Sequence, residues 1–211
     1  MTPDQRHSKL RERLLEAAER KIAADGLEAV RARQLAAEVG CAVGQIYNIY
    51  ADLDGLILAV NARTLEELEE RLMIATKSTG AEPDKGTGAV LVAQAQAYLQ
   101  FASHNRNRWQ AVFQHRMTGS RALPDWYREQ QARLFSHVDR PMRAVLPELP
   151  PAECALLGRS IFSAVHGIVW LGIEELLGRQ SYDQLSTQLE TIVKAMVSGL
   201  HQQRKLNPGQ D

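Results

Sequence analysis

Gln45, Tyr47 and Asn48 are three polar residues within four positions, and their side chains can hydrogen-bond with nucleic acid. Amide and hydroxyl groups read base edges in the major groove of DNA and also bind phosphate oxygens. Apolar residues recur around them at helical spacing, which predicts that the polar side chains project outward while the apolar ones face a core. The residues expected to face inward are Leu35, Ala36, Val39, Ile46 and Ile49.

The segment that must position these side chains predicts two short helices, over residues 33–39 and 43–49, joined by a tight turn at Gly40. Such a pair forms a helix-turn-helix, whose second helix enters the major groove in DNA-binding proteins. A longer first helix is predicted to precede the pair and to end at Gly26. Its apolar residues lie four positions apart: Leu10, Leu14, Ala18 and Ile22. Spacing alone is equally compatible with a plain helical hairpin inside a bundle.

Helical periodicity also dominates the remainder of the chain. A capping-box pattern from Ser181 to Gln184 predicts the start of the last helix. The predicted ranges after the first three helices are 52–72, 89–103, 109–117, 124–146, 152–177 and 182–203, with a turn-rich linker over 78–88. The sequence has no strand pattern, so we predict an all-α fold of about nine helices. It would comprise an N-terminal three-helix helix-turn-helix domain (1–52) and a C-terminal helical bundle (53–211).

Composition and charge narrow the class of protein. The chain has 211 residues, of which 45% are hydrophobic and 24% charged, a balance typical of globular proteins. Because 25 basic residues equal 25 acidic ones, any DNA binding must come from local patches. No segment reaches the ~20 apolar residues of a membrane span, and the first residues hold no apolar signal segment. Cys41 and Cys154 match neither a disulfide framework nor a zinc site, so we expect a cytoplasmic protein without membrane association.

Spaced residues between positions 9 and 60 resemble the N-terminal DNA-binding domain of TetR/AcrR-type transcriptional regulators. They are Gly26-Leu27, Leu35-Ala36, Gly40, Gly44-x-Ile46-Tyr47-x-x-Tyr50 and Leu56. The resemblance implies a homodimer that binds an operator in double-stranded DNA, and a C-terminal domain that binds a small-molecule effector. The implied function is a repressor released from a palindromic operator by that effector. The implied DNA-binding residues are Arg33, Val43, Gly44, Gln45, Tyr47, Asn48 and Tyr50.

The sequence departs from the family pattern at positions that support DNA binding. Family members usually have Ser or Thr at the start of both motif helices, where this chain has Arg31 and Ala42. They often have Lys at two positions that are Val43 and Leu53 here, and acidic residues flank Leu53. Because cation–phosphate contacts drive non-specific binding, we expect this binding to be weaker than in a typical relative. Cations that could compensate, or could simply form a solvated face, are Arg6, His7, Lys9, Arg11, Arg13, Arg31 and Arg33.

Aromatic residues cluster between positions 98 and 170, where all three tryptophans lie. Apolar pockets with a few polar contacts are typical small-molecule sites, although aromatic residues at helical spacing also fill cores. The predicted effector-binding residues are Phe101, Trp109, Phe113, His115, Trp126, Phe162, His166 and Trp170. Val165-His166-Gly167 is similar to the Trp-His-Gly signature of one C-terminal domain in the family, with Val165 in place of Trp. An excess of arginine over residues 104–133 would suit an anionic ligand, a partner surface or a solvated face.

Long apolar stripes on the last two helices predict a four-helix interface between two subunits. Ordinary core packing within one chain is the alternative, and it must use part of these residues in any case. The predicted interface residues are Ile161, Val165, Ile168, Leu189, Ile192, Val193, Met196 and Leu200.

The sequence gives no sign of an enzyme. It has no G-x-S-x-G, P-loop, H-E-x-x-H or C-x-x-C motif, so we predict no enzyme activity, no cofactor and no metal. The alternative to a DNA-binding regulator is a helical dimer that has lost DNA binding and acts through protein or small-molecule contacts.

Overall fold

The computed structural model describes residues 2–80 and 88–206. Within these ranges the chain forms nine α-helices and no β-strand, which confirms the predicted all-α fold. The helices are α1 (Pro3–Asp25), α2 (Ala32–Val39), α3 (Val43–Tyr50), α4 (Leu53–Ser78), α5 (Ala89–His104), α6 (Arg106–Gln114), α7 (Asp125–Val145), α8 (Pro151–Ile173) and α9 (Tyr182–Leu206). Residues 81–87 of the predicted linker lie outside the described residues.

The predicted capping box starts α9 as expected. The Gln184 N–H donates to Ser181 Oγ over 3.2 Å, and the Ser181 N–H donates to Gln184 Oε1 over 2.8 Å. These two bonds satisfy donors that a helix start would otherwise leave unpaired.

Helix α8 ends four residues earlier than predicted, at Ile173 rather than at residue 177. Glu175 takes a positive φ of 54°, which a continuing helix cannot accommodate. The Leu176 N–H then donates to the carbonyl of Leu171 over 3.1 Å and closes the helix end. The apolar periodicity therefore runs past the helix into an exposed turn, where Leu176 and Leu177 are 63% and 74% exposed.

Residue contacts divide the chain into two compact units. The first unit comprises Met1–Glu67 with Asn105–Gln130, and the second comprises Leu68–His104 with Gln131–Asp211. These units are defined by packing alone, so they do not test the predicted functional division after residue 52.

The first unit holds the helix-turn-helix and includes α6, which is distant in sequence. The Asn107 amide donates to the carbonyls of Ala23 (2.9 Å) and Ala24 (3.3 Å) at the end of α1. The Asn61 amide of α4 donates to the Ala111 carbonyl of α6 over 3.2 Å. The bonds from Asn107 pair carbonyls that the end of α1 leaves open, and together with the bond from Asn61 they fix α6 against α1 and α4.

In the second unit α5 packs against α8 and α9. Helix α5 is nearly all apolar, as predicted, and its buried Gln94 donates to the carbonyl of His137 and to Thr76 Oγ1, both over 2.9 Å. Where α8 and α9 meet, a Cβ on Gly172 would stand 2.3 Å from Leu185 Cδ2, so any larger residue would require the Leu185 side chain to move.

Helix α8 is long and apolar enough to cross a membrane by length and composition, with a mean hydropathy of 1.5 over 18 residues. Glu153, Arg159 and His166 interrupt its apolar residues, so the prediction that no run of ~20 apolar residues occurs still holds for α8. The core helix of a globular protein meets the same criteria, so α8 by itself does not indicate a membrane span. Helix α8 faces the core of the second unit through residues such as Ile161 and Val169, and 28% of the 18-residue window is buried.

Candidate nucleic-acid interface

The turn between α2 and α3 depends on Gly40, which is left-handed with φ 71° and ψ 45°. The Cys41 N–H donates to the carbonyl of Ala36 over 2.9 Å and reverses the chain there. The predicted core residues are buried: Leu35, Ala36, Val39 and Ile46 are all at most 4% exposed, and Ile49 packs partly buried against the same cluster. The prediction of the inward face is thus confirmed.

Both motif helices start without a side-chain cap. Arg31 and Ala42 occupy the cap positions, and neither side chain accepts a hydrogen bond from its helix. At the start of α3 the Gln45 side chain makes half of a capping box, because its Oε1 accepts the Ala42 N–H over 3.1 Å. The Gln45 side chain still carries two amide N–H donors that this bond does not use.

The outer face of α3 carries polar and aromatic groups. Gln45, Tyr47 and Asn48 are exposed as predicted, as are Arg33 and Gly44, while Val43 is partly buried against the core. Tyr47 shows 46% of its surface, a large value for an aromatic side chain. The buried face of α3 thus fixes the orientation of an exposed face whose polar groups can contact bases and phosphates.

Tyr50 does not lie on this outer face, which corrects its place among the predicted DNA-binding residues. It is only 6% exposed, and its hydroxyl donates to the carbonyl of Arg11 over 2.8 Å. The Arg11 guanidinium lies over the ring, 4.7 Å from its centroid. Burial raises the pKa of Tyr50, so the hydroxyl stays a donor. The ring fastens α3 to α1 because its apolar body completes the core.

Several cations near the motif are held by partners inside the first unit. Arg13 donates to the carbonyl of Val39 at the end of α2, which anchors the turn to α1. Arg20 pairs with Glu38 over 2.9 Å, and Arg63 pairs with Glu12 and Glu19. Arg20 and Arg63 are thus paired with acidic residues. Residues 1–63 of this unit also contain equal numbers of acidic and basic residues, so little positive charge there is unbalanced.

A cluster that sequence reasoning missed lies at the junction of α3 and α4. Asp52 caps α4 by accepting the Gly55 N–H over 2.8 Å, while buried Asp54 accepts the Thr118 N–H over 2.9 Å. Arg121 Nη2 lies 2.7 Å from Asp52 Oδ2 and 2.8 Å from Asp54 Oδ2. The acidic residues that flank Leu53 are thus bound by an arginine almost seventy positions away. Only the arginine excess over 104–133 hinted at such a partner.

His115 completes this cluster from the end of α6. Its Nε2 lies 3.5 Å from Asp54 Oδ1 without making a hydrogen bond, and its side chain is 8% exposed. Burial lowers the pKa of His115, which Asp54 opposes. Burial alone would raise the pKa of Asp54, but the bonds from Thr118 and Arg121 and the nearby His115 bring it below its ordinary value. The site therefore favours an ionised aspartate.

The predicted effector-binding residues are divided between the two units. The first unit contains Trp109, Phe113, His115 and Trp126, and the second contains Phe101, Phe162, His166 and Trp170. Trp109 is 1% exposed and packs edge-on against Phe113, with ring centroids 5.9 Å apart, so it serves the core. Trp126 is 47% exposed and borders an open groove of about 710 Å³ that Tyr47 and Asn48 also line.

In the second unit three aromatic rings, those of Tyr98, Phe162 and Trp170, form one cluster around His166. Tyr98 Oη and His166 Nδ1 are hydrogen-bonded over 2.7 Å. Phe162 stacks on the His166 ring with centroids 5.6 Å apart, and Trp170 lies 5.7 Å from the same ring. Burial lowers the pKa of His166, which favours the neutral ring. Phe101 is buried at 3% exposure, and sequence reasoning left Tyr98 out of the predicted site.

The predicted dimer residues also divide into two sets. Four of them are buried within the second unit itself, because the core between α5, α8 and α9 uses them: Ile161, Val165, Leu189 and Val193. The partly exposed ones are Ile168, Ile192, Met196 and Leu200. Leu156 of α8, which was not predicted, is 62% exposed. A partner could therefore contact only the second set and its exposed neighbours.

Over residues 2–80 and 88–206, no group of three or more histidine, cysteine or acidic side chains is arranged to hold a metal ion.

Comparison with known proteins defines the class. Residues 91–199 match the family model described as the tetracyclin repressor-like C-terminal domain. The match covers more than half of the chain, and the chain therefore belongs to the TetR family of transcriptional regulators. No curated protein matches the chain by sequence.

Solved structures share the fold over nearly the whole chain. A protein of unknown function from Rhodococcus sp. RHA1 has a TM-score of 0.70 and 22% identity, and the alignment covers 90% of this chain and 94% of that one. A TetR-family transcriptional regulator from Streptomyces coelicolor has a TM-score of 0.65 and 19% identity, with 91% and 82% covered. The multidrug binding protein EbrR, solved with imidazole, has a TM-score of 0.60 and 18% identity, with 88% and 93% covered.

Proposed function

We propose that this regulator is a homodimer that binds a palindromic operator in double-stranded DNA and is released by a small-molecule effector, which makes it a repressor. The observation that carries the DNA-binding step is the outer face of α3. There Gln45, Tyr47 and Asn48 are exposed while the opposite side of the helix is anchored by fully buried Ile46. A rigid helix with exposed amide and phenol groups meets the requirements of major-groove contact.

In a dimer, two copies of α3 would enter successive major grooves about 34–36 Å apart, as dimeric helix-turn-helix proteins do. Only two residues separate α4 from α3, and the Asp52 N–H in this connection donates to the carbonyl of Tyr50 over 2.7 Å. A shift of α4 caused by effector binding would therefore change the position of α3. Coupling of this kind is typically worth about 1–3 kcal/mol between effector and DNA.

The test is selection of DNA by the full-length protein from a pool of random duplexes, followed by anisotropy titration of the selected duplex at two salt concentrations. We expect a palindromic sequence bound at about 10⁻⁸ M or tighter, weakening as salt rises. Selection of no sequence would contradict the proposal and favour a helical dimer that has lost DNA binding.

We place the effector at the cluster of Tyr98, Phe162, His166 and Trp170 in the second unit. Stacked rings around a neutral histidine suit a planar, largely apolar ligand with one hydrogen-bonding group. EbrR, which shares the fold at 18% identity, is a multidrug binding protein that was solved with imidazole. Thermal-shift screening with planar heteroaromatic compounds tests the proposal, and Phe162→Ala should abolish the shift of a true ligand. A hit unaffected by Phe162→Ala would place the effector elsewhere.

We place the dimer contact on the partly exposed residues of α8 and α9, including Ile168 and Ile192. An apolar helix with 28% of its window buried needs a further cover, which a second α8 would supply. Ile192→Arg should raise the dimer dissociation constant by about tenfold or more in sedimentation equilibrium, because it buries an unpaired charge. Thr191→Arg, on the exposed neighbour, is the matched control, and equal effects of both variants would exclude this surface.

A further inference from the structure

Arg121 bridges two carboxylates directly after α3. Its guanidinium contacts Asp52 and Asp54 within 2.8 Å, and it belongs to the segment between α6 and α7 rather than to the helix-turn-helix. The start of α4 also lies against the end of α3, because a Cβ on Gly55 would stand 2.2 Å from the carbonyl oxygen of Tyr50. The two carboxylates therefore belong to the same surface region as the C-terminal end of α3.

Uncancelled, these carboxylates would oppose DNA binding. Charges act over a Debye length of about 8 Å at physiological salt, which spans the distance from the start of α4 to the last turn of α3. A phosphate that approaches this end of α3 would meet two negative charges in addition to the partial negative charge at the helix C-terminus. Leu53 lies between them and offers no cation.

We propose that Arg121 is a positioning residue for DNA binding: its guanidinium cancels Asp52 and Asp54 so that the end of α3 can approach a phosphate. The inference rests on the proposed function, which it deepens. It assigns to the segment between α6 and α7 a part in the DNA-binding surface.

The solvent exposure of the Arg121 side chain distinguishes a role in DNA binding from a role in folding. The Arg121 side chain is 51% exposed, and ion pairs with that much solvent contact contribute little to folding. Asp54 is 8% exposed and also accepts a hydrogen bond from the Thr118 N–H, in which the Arg121 guanidinium takes no part. Removal of the guanidinium should therefore change the charge of the surface more than the fold.

The experiment compares full-length variants on the duplex selected by the wild-type protein, with anisotropy measured at low and high salt. Arg121→Gln should weaken binding about tenfold at low salt, because like charges then face each other, and the loss should shrink at high salt. Arg121→Lys should restore most of the affinity. The matched control is Arg128→Gln, since Arg128 pairs with Asp125 on the neighbouring stretch of the same unit, and it should bind like the wild type.

A suppressor variant distinguishes charge cancellation from local structure. Asp52→Asn in the Arg121→Gln background keeps the cap of α4, because the amide oxygen of asparagine accepts the same hydrogen bond. It should recover about threefold of the lost affinity by removing one of the two charges. Arg121→Gln with wild-type affinity, a loss independent of salt, or no recovery in the double variant would each overturn the inference alone. A wild-type chain that selects no duplex would overturn the proposed function and this inference together.

Discussion

The helix-turn-helix segment and the α8–α9 pair differ in how well their side-chain faces follow from periodicity. In α2 and α3 the predicted inward residues are buried, and Gln45, Tyr47 and Asn48 are exposed. In α8 and α9 the apolar stripes were assigned to a partner subunit, yet Ile161 and Leu189 are 3% and 0% exposed within the second unit. The difference shows that periodicity identifies an apolar face but not the surface that covers it.

Helix length explains this contrast. A helix of eight residues such as α3 has room for one buried face, so its polar side chains Gln45, Tyr47 and Asn48 are left exposed to solvent. Helix α8 has 23 residues, and apolar groups surround most of its circumference. One side covers the core of the second unit and another remains partly exposed. The sequence alone does not show which of these sides faces the core.

The largest expected effect tests the buried face of α3. Ile46→Ala should lower the free energy of unfolding by about 2–5 kcal/mol, because Ile46 is 0% exposed and its loss leaves a cavity. Urea denaturation measures the change. Ile49→Ala, at a partly buried position one turn on in the same face, should cost clearly less, and equal costs would contradict the dependence on burial.

The next effect tests the exposed face of the same helix. Tyr47→Ala should weaken operator binding by roughly a hundredfold while the dimer stays intact, because each subunit loses one groove contact. Anisotropy and sedimentation measure the two properties. Tyr182→Ala is the matched control, since the exposed fraction of Tyr182 (45%) is close to that of Tyr47 (46%) but Tyr182 lies at the start of α9. Wild-type affinity in Tyr47→Ala would refute the assignment.

A smaller effect tests the missing caps. Ala42→Ser should raise the free energy of unfolding by about 1 kcal/mol, because the serine hydroxyl can accept the backbone N–H of Gln45 and complete the box. Urea denaturation again gives the value. Ala42→Val, which adds bulk without an acceptor, is the control and should not stabilise the protein. A stabilisation by both substitutions would show that capping is not the cause.

The smallest effect compares one buried histidine in each unit. Burial lowers the pKa of His115 and of His166 below the ordinary value of 6.5, so the unfolded chain binds protons more readily than the folded one. Stability should therefore be level above about pH 6.5 and fall as the pH drops below it. His166→Gln should flatten this fall in urea titrations. An unchanged slope in His166→Gln would contradict the stated cause.

Long-range polar pairing was the part of the candidate site least accessible to sequence reasoning. The nine helices and the outer face of α3 follow from local periodicity, glycine turns and caps. The bond from Tyr50 to the Arg11 carbonyl and the contacts of Arg121 with Asp52 and Asp54 join residues far apart in sequence. Such pairs depend on which helices meet, and neither spacing nor composition encodes that. For the same reason the aromatic residues between 98 and 170 looked like one cluster, although they belong to two units.

Hydroxyl-radical footprinting of the wild-type protein on its selected duplex tests the central claim most directly. If α3 of each subunit enters a major groove, two protected regions should appear about 34–36 Å apart, one helical turn, and at the protein concentration that just saturates the wild type both should disappear with Tyr47→Ala. A single protected region, or protection that survives in Tyr47→Ala, would contradict the account of α3 as the DNA-contacting helix of a dimer.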